Sequence, residues 1–250
     1  MLALRLVLPA ILTSVVATAT SWLALPNAPT YELPHFEGSF ANLVLAMLVG
    51  PIAGLVSVAF VRIIALADRY RPKHRRRLMA PILVLGLLGL VSIPFPQLLG
   101  NGKDIAQLAF ADQIPFTLLL ALLLLKPAAT VLCLGSGVPG GLFTPSLALG
   151  ALLGGVVGHA CSSLRPEMQP ALAALIGAGA VLAATQGPIS AVVLIMELTG
   201  RDRSFVAPLL LAVVIATLVS RMIEPRSIYD ARLTDEQIAQ RQKLREPPQR

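Results

Sequence analysis

Seven stretches of this chain, at residues 2–25, 40–67, 79–99, 115–134, 142–160, 171–198 and 205–222, run for about twenty residues or more with at most one charged side chain each. An apolar run of that length can satisfy its backbone in a bilayer only as a helix. The composition agrees: 56% of the 250 residues are hydrophobic and 13% charged, and the mean hydropathy of +0.77 is far above that of a soluble domain. The fold class is therefore all-α, a polytopic integral membrane protein with the lipid bilayer as its first partner.

The net charge of +7 could point to nucleic acid, so the placement of the basic residues decides. They sit at the ends of apolar segments. Arg69, Arg71, Lys73, Arg75, Arg76 and Arg77 crowd one loop, and Arg221, Arg226, Arg232, Arg241, Lys243, Arg245 and Arg250 mark the C-terminal part. That is the positive-inside pattern, and no aromatic-basic surface module accompanies it, so nucleic acid is excluded as a partner. Cys133 and Cys161 lack metal or redox spacing and read as small buried hydrophobes. His35, His74 and His159 are scattered and do not pair with carboxylates at ligand spacing, so neither a metal nor another cofactor is expected, and no nucleophile-base set suggests an enzyme. Residues 2–25 are too long for a secretory signal and read as a membrane helix.

Charge also tests the number of crossings. With the basic loop at 69–77 cytoplasmic, the loop 26–39, which holds Glu32 and Glu37 but no Lys or Arg, is external. A single crossing by 171–198 would leave the arginine-rich tail outside. If that segment instead enters and returns as two half-helices hinged at Gln186-Gly187-Pro188, the tail lies inside. Each half is then too short to span the roughly 30 Å core, and the hinge must be buried in protein or line a cavity.

Within this frame one run stands out. Gly140-Gly141-Leu142-Phe143-Thr144-Pro145 opens an uncharged stretch carrying Gly150, Gly154, Gly155 and Gly158. Free N–H groups at a helix start attract anions, and glycine admits an ion close to the main chain. Small residues at such spacing serve helix packing equally well. Lys126, deep in its segment and followed by Pro127, reads either as an ion-pathway residue or as a side chain snorkelling at the junction of two shorter helices. Glu197 reads as a proton carrier or as a helix-end carboxylate paired with Arg201 or Arg203. Tyr229, taken alone, reads as an interfacial anchor.

Three ordered motifs resemble one family. Gly135-Ser136-Gly137-Val138-Pro139-Gly140-Gly141-Leu142-Phe143-Thr144-Pro145 with the small-residue helix after it is similar to the third selectivity-filter segment, G-x-F-x-P, of the CLC chloride channels and proton/chloride antiporters. Gly177-Ala178-Gly179-Ala180, Gly187-Pro188 and Glu197-Leu198-Thr199-Gly200 resemble that family's broken helix pair. Pro225-Arg226-Ser227-Ile228-Tyr229-Asp230 resembles the segment ending its membrane domain with a pore-facing tyrosine.

The resemblance implies a chloride site. The N–H groups of Leu142 and Phe143 would hold a dehydrated chloride, Gly141 would give access, Thr144 and Pro145 would fix the first helical turn, and the Tyr229 hydroxyl would donate a neutral hydrogen bond. Ser136 also resembles the family's first-segment serine, but the continuation into Gly-Gly-Leu-Phe-Thr-Pro fixes the register to the third. Chloride is the ligand and protons a second substrate. The family is an inverted repeat. This chain matches its second half: 1–39 as the end of the first half, 40–222 as the second-half membrane domain, and 223–250 as a cytoplasmic tail. The expected location is the plasma (inner) membrane. No Glu lies in a Gly-x-Glu-Gly-Pro context. The gate is thus expected from a separately encoded first-half polypeptide, or else the chain is a truncated, non-conducting module acting in dimerisation or assembly. A homodimer through 187–198 and 205–220 is implied, with Ile189, Val193, Leu210 and Val214 on the shared face.

Overall fold

A computed structural model describes residues 2–26, 28–36, 38–72, 76–200 and 204–233. The chain divides into two compact units, Met1–Thr30 and Tyr31–Arg250. The first holds one helix, α1 (Leu2–Ser21), whose large apolar side chains from Val7 to Val16 are exposed.

The second unit is all helical among its described residues. It contains α2 (Phe40–Arg69), α3 (Arg76–Ser92), α4 (Lys103–Phe110), α5 (Phe116–Gly135), α6 (Phe143–Ser162), α7 (Pro170–Thr185), α8 (Pro188–Thr199) and α9 (Val206–Ile223). By length and composition α2, α5, α6 and α9 can each cross a membrane. Ser39 starts α2, its Oγ accepting from the Ala41 N–H at 3.1 Å. Gly50-Pro51 does not interrupt α2; Gly50 makes room for α9, since a Cβ there would lie 2.9 Å from the Ile215 Cβ.

One boundary differs from the sequence reading, and one open alternative is decided. The apolar run 79–99 is helical only to Ser92, because Pro94 and Pro96 break it and Pro96–Leu98 form a single 3-10 turn. Residues 115–134 are one helix, not two; α5 passes through Pro127 without a break.

Helix α7 is the centre. Every residue from Ala171 to Thr185 is buried, so this short helix has no outward face within the unit. It packs most extensively on α6, and the reason is glycine. A Cβ on Gly150 would collide with the Gly177 carbonyl oxygen and one on Gly154 with the Ala173 carbonyl oxygen, while one on Gly158 would sit 2.6 Å from the Ala173 Cβ. The two backbones touch because those positions carry no side chain.

Contacts fix the direction of each helix. At one end Gln107 hydrogen-bonds both backbone groups of Glu32, Tyr31 N–H donates to Leu198 O, Phe36 packs edge-on to Phe205, and His159 lies beside Asp112. At the other end Arg232 and Arg71 both reach Asp68, and Arg62 reaches Glu224. Thr185, the end of α7, accepts from the Ile228 N–H at this second end, while α8 finishes at the first. The pair α7–α8 therefore turns back at Gln186-Gly187, as the charge pattern required. Arg71 and Arg232, from the basic loop and from the segment after α9, meet on one carboxylate.

Candidate functional site

The glycine-rich loop exists because α5 is stopped decisively. Gly137 adopts φ +99°, its N–H donates to Leu134 O at 3.0 Å, and the Val138 N–H donates to Cys133 O at 3.3 Å. This pair of bonds around a left-handed glycine is a Schellman motif, and it turns the chain out of the helix axis. Ser136 is the capping residue there: buried, its Oγ donates to Cys133 O at 2.7 Å. Five residues later the chain enters α6.

No side chain caps the start of α6. Leu142 is the N-cap residue, and the first helical bond is from Ser146 N–H to Leu142 O at 3.1 Å. The N–H groups ahead of Ser146 thus have no partner within the helix, and Pro145 has none to offer. Ser146 also returns its hydroxyl to Leu142 O at 2.7 Å, which fixes the first turn. Leu142 is fully buried and Phe143 half-buried, whereas Gly140 and Gly141 are exposed.

The glycines of this stretch divide by role. Gly150, Gly154 and Gly158 serve the α6–α7 contact, but a Cβ on Gly141 would meet nothing within 4 Å, and Gly141 does not lie in the left-handed region. Neither packing nor backbone strain within the chain requires glycine there. What its absent side chain leaves open is a direct approach to the first turn of α6.

Tyr229 lies in the segment after α9, 45% exposed. Its neighbours in the segment are held at three points. The Ile228 N–H donates to Thr185 O at 2.8 Å, Ser227 Oγ bonds Asp230 Oδ2 at 2.8 Å, and Arg232 Nε donates to Asp68 Oδ2 at 3.0 Å. Buried Glu224 accepts from Arg226 Nε at 2.8 Å and from Arg62 Nε at 3.4 Å. The hydrogen bond from Arg226 holds the Glu224 carboxyl below the ordinary glutamate value against the opposing pull of burial, and Arg62 adds to the lowering. Among the described residues no hydrogen bond joins Tyr229 to the Gly141–Pro145 segment, although both belong to the same unit.

Lys126 does not snorkel. It is 3% exposed, and Nζ donates to Leu98 O at 2.8 Å and Gly100 O at 2.9 Å. With Val138, Gly140, Gly141 and Pro145 it lines a cavity of about 200 Å³ beside the glycine loop. Glu197 is exposed near the end of α8; Arg201 and Arg203 lie outside the described residues. The histidine reading needs one correction: the fold brings His159 Nε2 to 2.9 Å from Asp112 Oδ1, a pairing across 47 residues of sequence. Lys126's carbonyl partners, the Glu224 clamp and the Asp68–Arg232 bridge went unread in sequence, since none has a local spacing signature.

The chain is 31% identical over 214 residues to the H(+)/Cl(-) exchange transporter ClcA of Vibrio campbellii, matching 82% of this chain and 45% of the relative. It is equally 31% identical to the ClcA of Vibrio cholerae over 237 residues, 90% of this chain and 49% of the relative. The chain thus spans about half the length of the curated relatives it matches. A slow cyanobacterial Cl-/H+ antiporter shares the fold with a TM-score of 0.71 at 24% identity, over 88% of this chain and 52% of that one. A CLC-type fluoride/proton antiporter does so with a TM-score of 0.66 at 24% identity, over 87% and 53%. The profile of the family described as voltage gated chloride channel matches residues 1–221, and the chain belongs to that family.

Proposed function

We propose that this chain supplies the backbone half of an anion pathway for chloride. The N–H groups of Leu142 and Phe143 bind the ion, Gly141 admits it, Thr144 and Pro145 hold the first turn in place, and the Tyr229 hydroxyl donates from the segment after α9. The observation that carries the reading is the open Gly141, a glycine that neither packing nor φ requires, placed next to an uncapped helix start. Neutral donors suit conduction because they replace hydration without trapping the ion. The printed functions of the relatives, proton/chloride exchange among them, support chloride as the anion and the proton as the counter-substrate.

The gate and the opposite wall come from the part of the family's domain that this chain does not span, and the two copies of the assembly meet through α8 and α9. Ile189, Val193, Leu210 and Val214 are 80%, 60%, 44% and 53% exposed, which leaves that face open for a second copy. The end carrying Arg71 and Arg232 faces the cytoplasm, and the site is the plasma membrane. A second reading is a module for dimerisation or assembly, and the exposed apolar face of α8 and α9 supports it.

Chloride titration of the purified chain by calorimetry separates the two. Binding is expected, weakened about fivefold by Tyr229→Phe through loss of one hydrogen bond, and at least tenfold by Gly141→Val, which closes the approach. Equal affinity in all three proteins would reject the assignment of the site. Chloride efflux is expected from liposomes holding the chain with a first-half polypeptide; none from any combination would leave the assembly reading alone.

A further inference from the structure

Lys126 is a buried cation with an unusual pair of partners. Among the described residues no carboxylate lies within ion-pair distance of Nζ; the ammonium is held by the Leu98 and Gly100 carbonyls. The turn offering those carbonyls is shaped by two left-handed glycines, Gly100 (φ +73°) and Gly102 (φ +102°). Gly102 is pressed between the lysine and α6. A Cβ there would lie 2.8 Å from the Ala148 Cβ, 3.3 Å from Lys126 Cε and 3.7 Å from Thr144 O. Thr144 and Ala148 belong to the first two turns of α6, just beyond the N–H groups assigned to the anion.

The geometry points to Lys126 as a positioning residue for the anion site: by gripping the 98–100 turn it seats Gly102 against the start of α6, and its ammonium, held by carbonyls and not by a contacting carboxylate, lies beside the Val138–Gly141 loop. The first effect is mechanical. With the turn anchored, the α6 start is held between α7 on its glycine face and Gly102 near its open end. The second is electrostatic. Carbonyl dipoles solvate an ammonium without cancelling its charge, so an anion at the loop, which lines the same cavity of about 200 Å³, senses that charge less the opposing field of Asp104. Three N–H donors and two acceptors also leave one ammonium N–H without a described partner.

This inference rests on the proposed anion site, and the test separates the two. Chloride affinity is measured by calorimetry on the full chain for wild type, Lys126→Arg, Lys126→Gln, Lys126→Met and Gly102→Ala, with helical circular dichroism as the check on folding. Lys126→Gln keeps a donor for the turn without the charge. About a tenfold loss is expected for Gln and Met, recovery to within about threefold for Arg, which a purely structural role would not single out. Gly102→Ala, forced to φ +102° and against Ala148, is expected to lose about tenfold with Lys126 intact. Its affinity decides the mechanical effect even if both neutral variants fail to fold. Wild-type affinity in Gln, or in Gly102→Ala, overturns the corresponding half of the proposal while Gly141→Val still weakens binding. No chloride binding by the wild type overturns this inference together with the site.

Discussion

Replacing Gly154 by alanine adds one methyl group at the tightest point between α6 and α7. A Cβ there falls onto the Ala173 carbonyl oxygen, 2.7 Å from the Ala173 carbonyl carbon and 2.8 Å from the Ala174 Cα. All three are backbone atoms of a helix buried along its length, so no side chain can swing aside. To restore ordinary contact with that oxygen the helices must part by about 1.4 Å, and the neighbouring Gly150 and Gly158 contacts open with them. Overpacking of this kind costs about 2–3 kcal/mol, equivalent to a fall in melting temperature of roughly 4–12 °C for a chain of this size. Gly89 provides the control. It lies on α3 with nothing within 4 Å of an added Cβ, so Gly89→Ala is governed by helix propensity and gains up to about 1 kcal/mol. Thermal unfolding in one detergent, followed by helical circular dichroism, reads both. A Gly154→Ala protein as stable as wild type, or a matching loss in Gly89→Ala, would refute the argument that backbone contact holds α6 in place.

The remaining predictions concern topology and charge. With Cys133 and Cys161 replaced by alanine, single cysteines at Leu164 and Pro225, both exposed and lying before α7 and after α9, are expected to react with an impermeant thiol reagent from opposite sides of the membrane; labelling from the same side would contradict the α7–α8 turn-back. Glu224 has its carboxyl pKa lowered on folding, so its contribution to stability is full above the unfolded value, 4.5 for a free glutamate, and is lost as pH falls through the lower folded value. Glu224→Gln should cost about 1–2 kcal/mol at neutral pH and flatten the acid limb of the stability profile; an acid limb unchanged by the substitution would show that Glu224 does not carry it.

How far the sequence can be read varies with the range of the interactions. The apolar runs, the break at Gln186-Gly187 and the glycine spacing on α6 are local patterns, and each reappears as a helix, a turn-back or a packing face. α4 escapes such reading because eight residues between Gly102 and Ala111 hold too little periodic signal, and the run 79–99 overshoots because Ile93, Phe95, Leu98 and Leu99 stay apolar past the prolines. The candidate site shows the same split. Gly141 to Pro145 is legible as a motif, whereas Lys126 finds its partners 26 and 28 residues upstream on main-chain oxygens, which no side-chain pattern records. Tyr229 is legible as a residue type, but the Asp68–Arg232 bridge across 164 residues that steadies its segment is not.

The all-round burial of α7 has a consequence for biogenesis. Membrane helices are usually pictured as inserting one at a time, each stable against lipid, before they associate. Sixteen residues rise only about 24 Å, short of the hydrocarbon thickness, and α7 has no surface left for lipid once assembled. It cannot serve as an independent inserted intermediate. Its hydrogen-bonded ends and glycine contacts exist only after α6 is present on one flank and α9 on the other, so ribosome-bound chains ending before Val206 should hold α7 unprotected, and its acquisition of protease resistance should coincide with the emergence of α9.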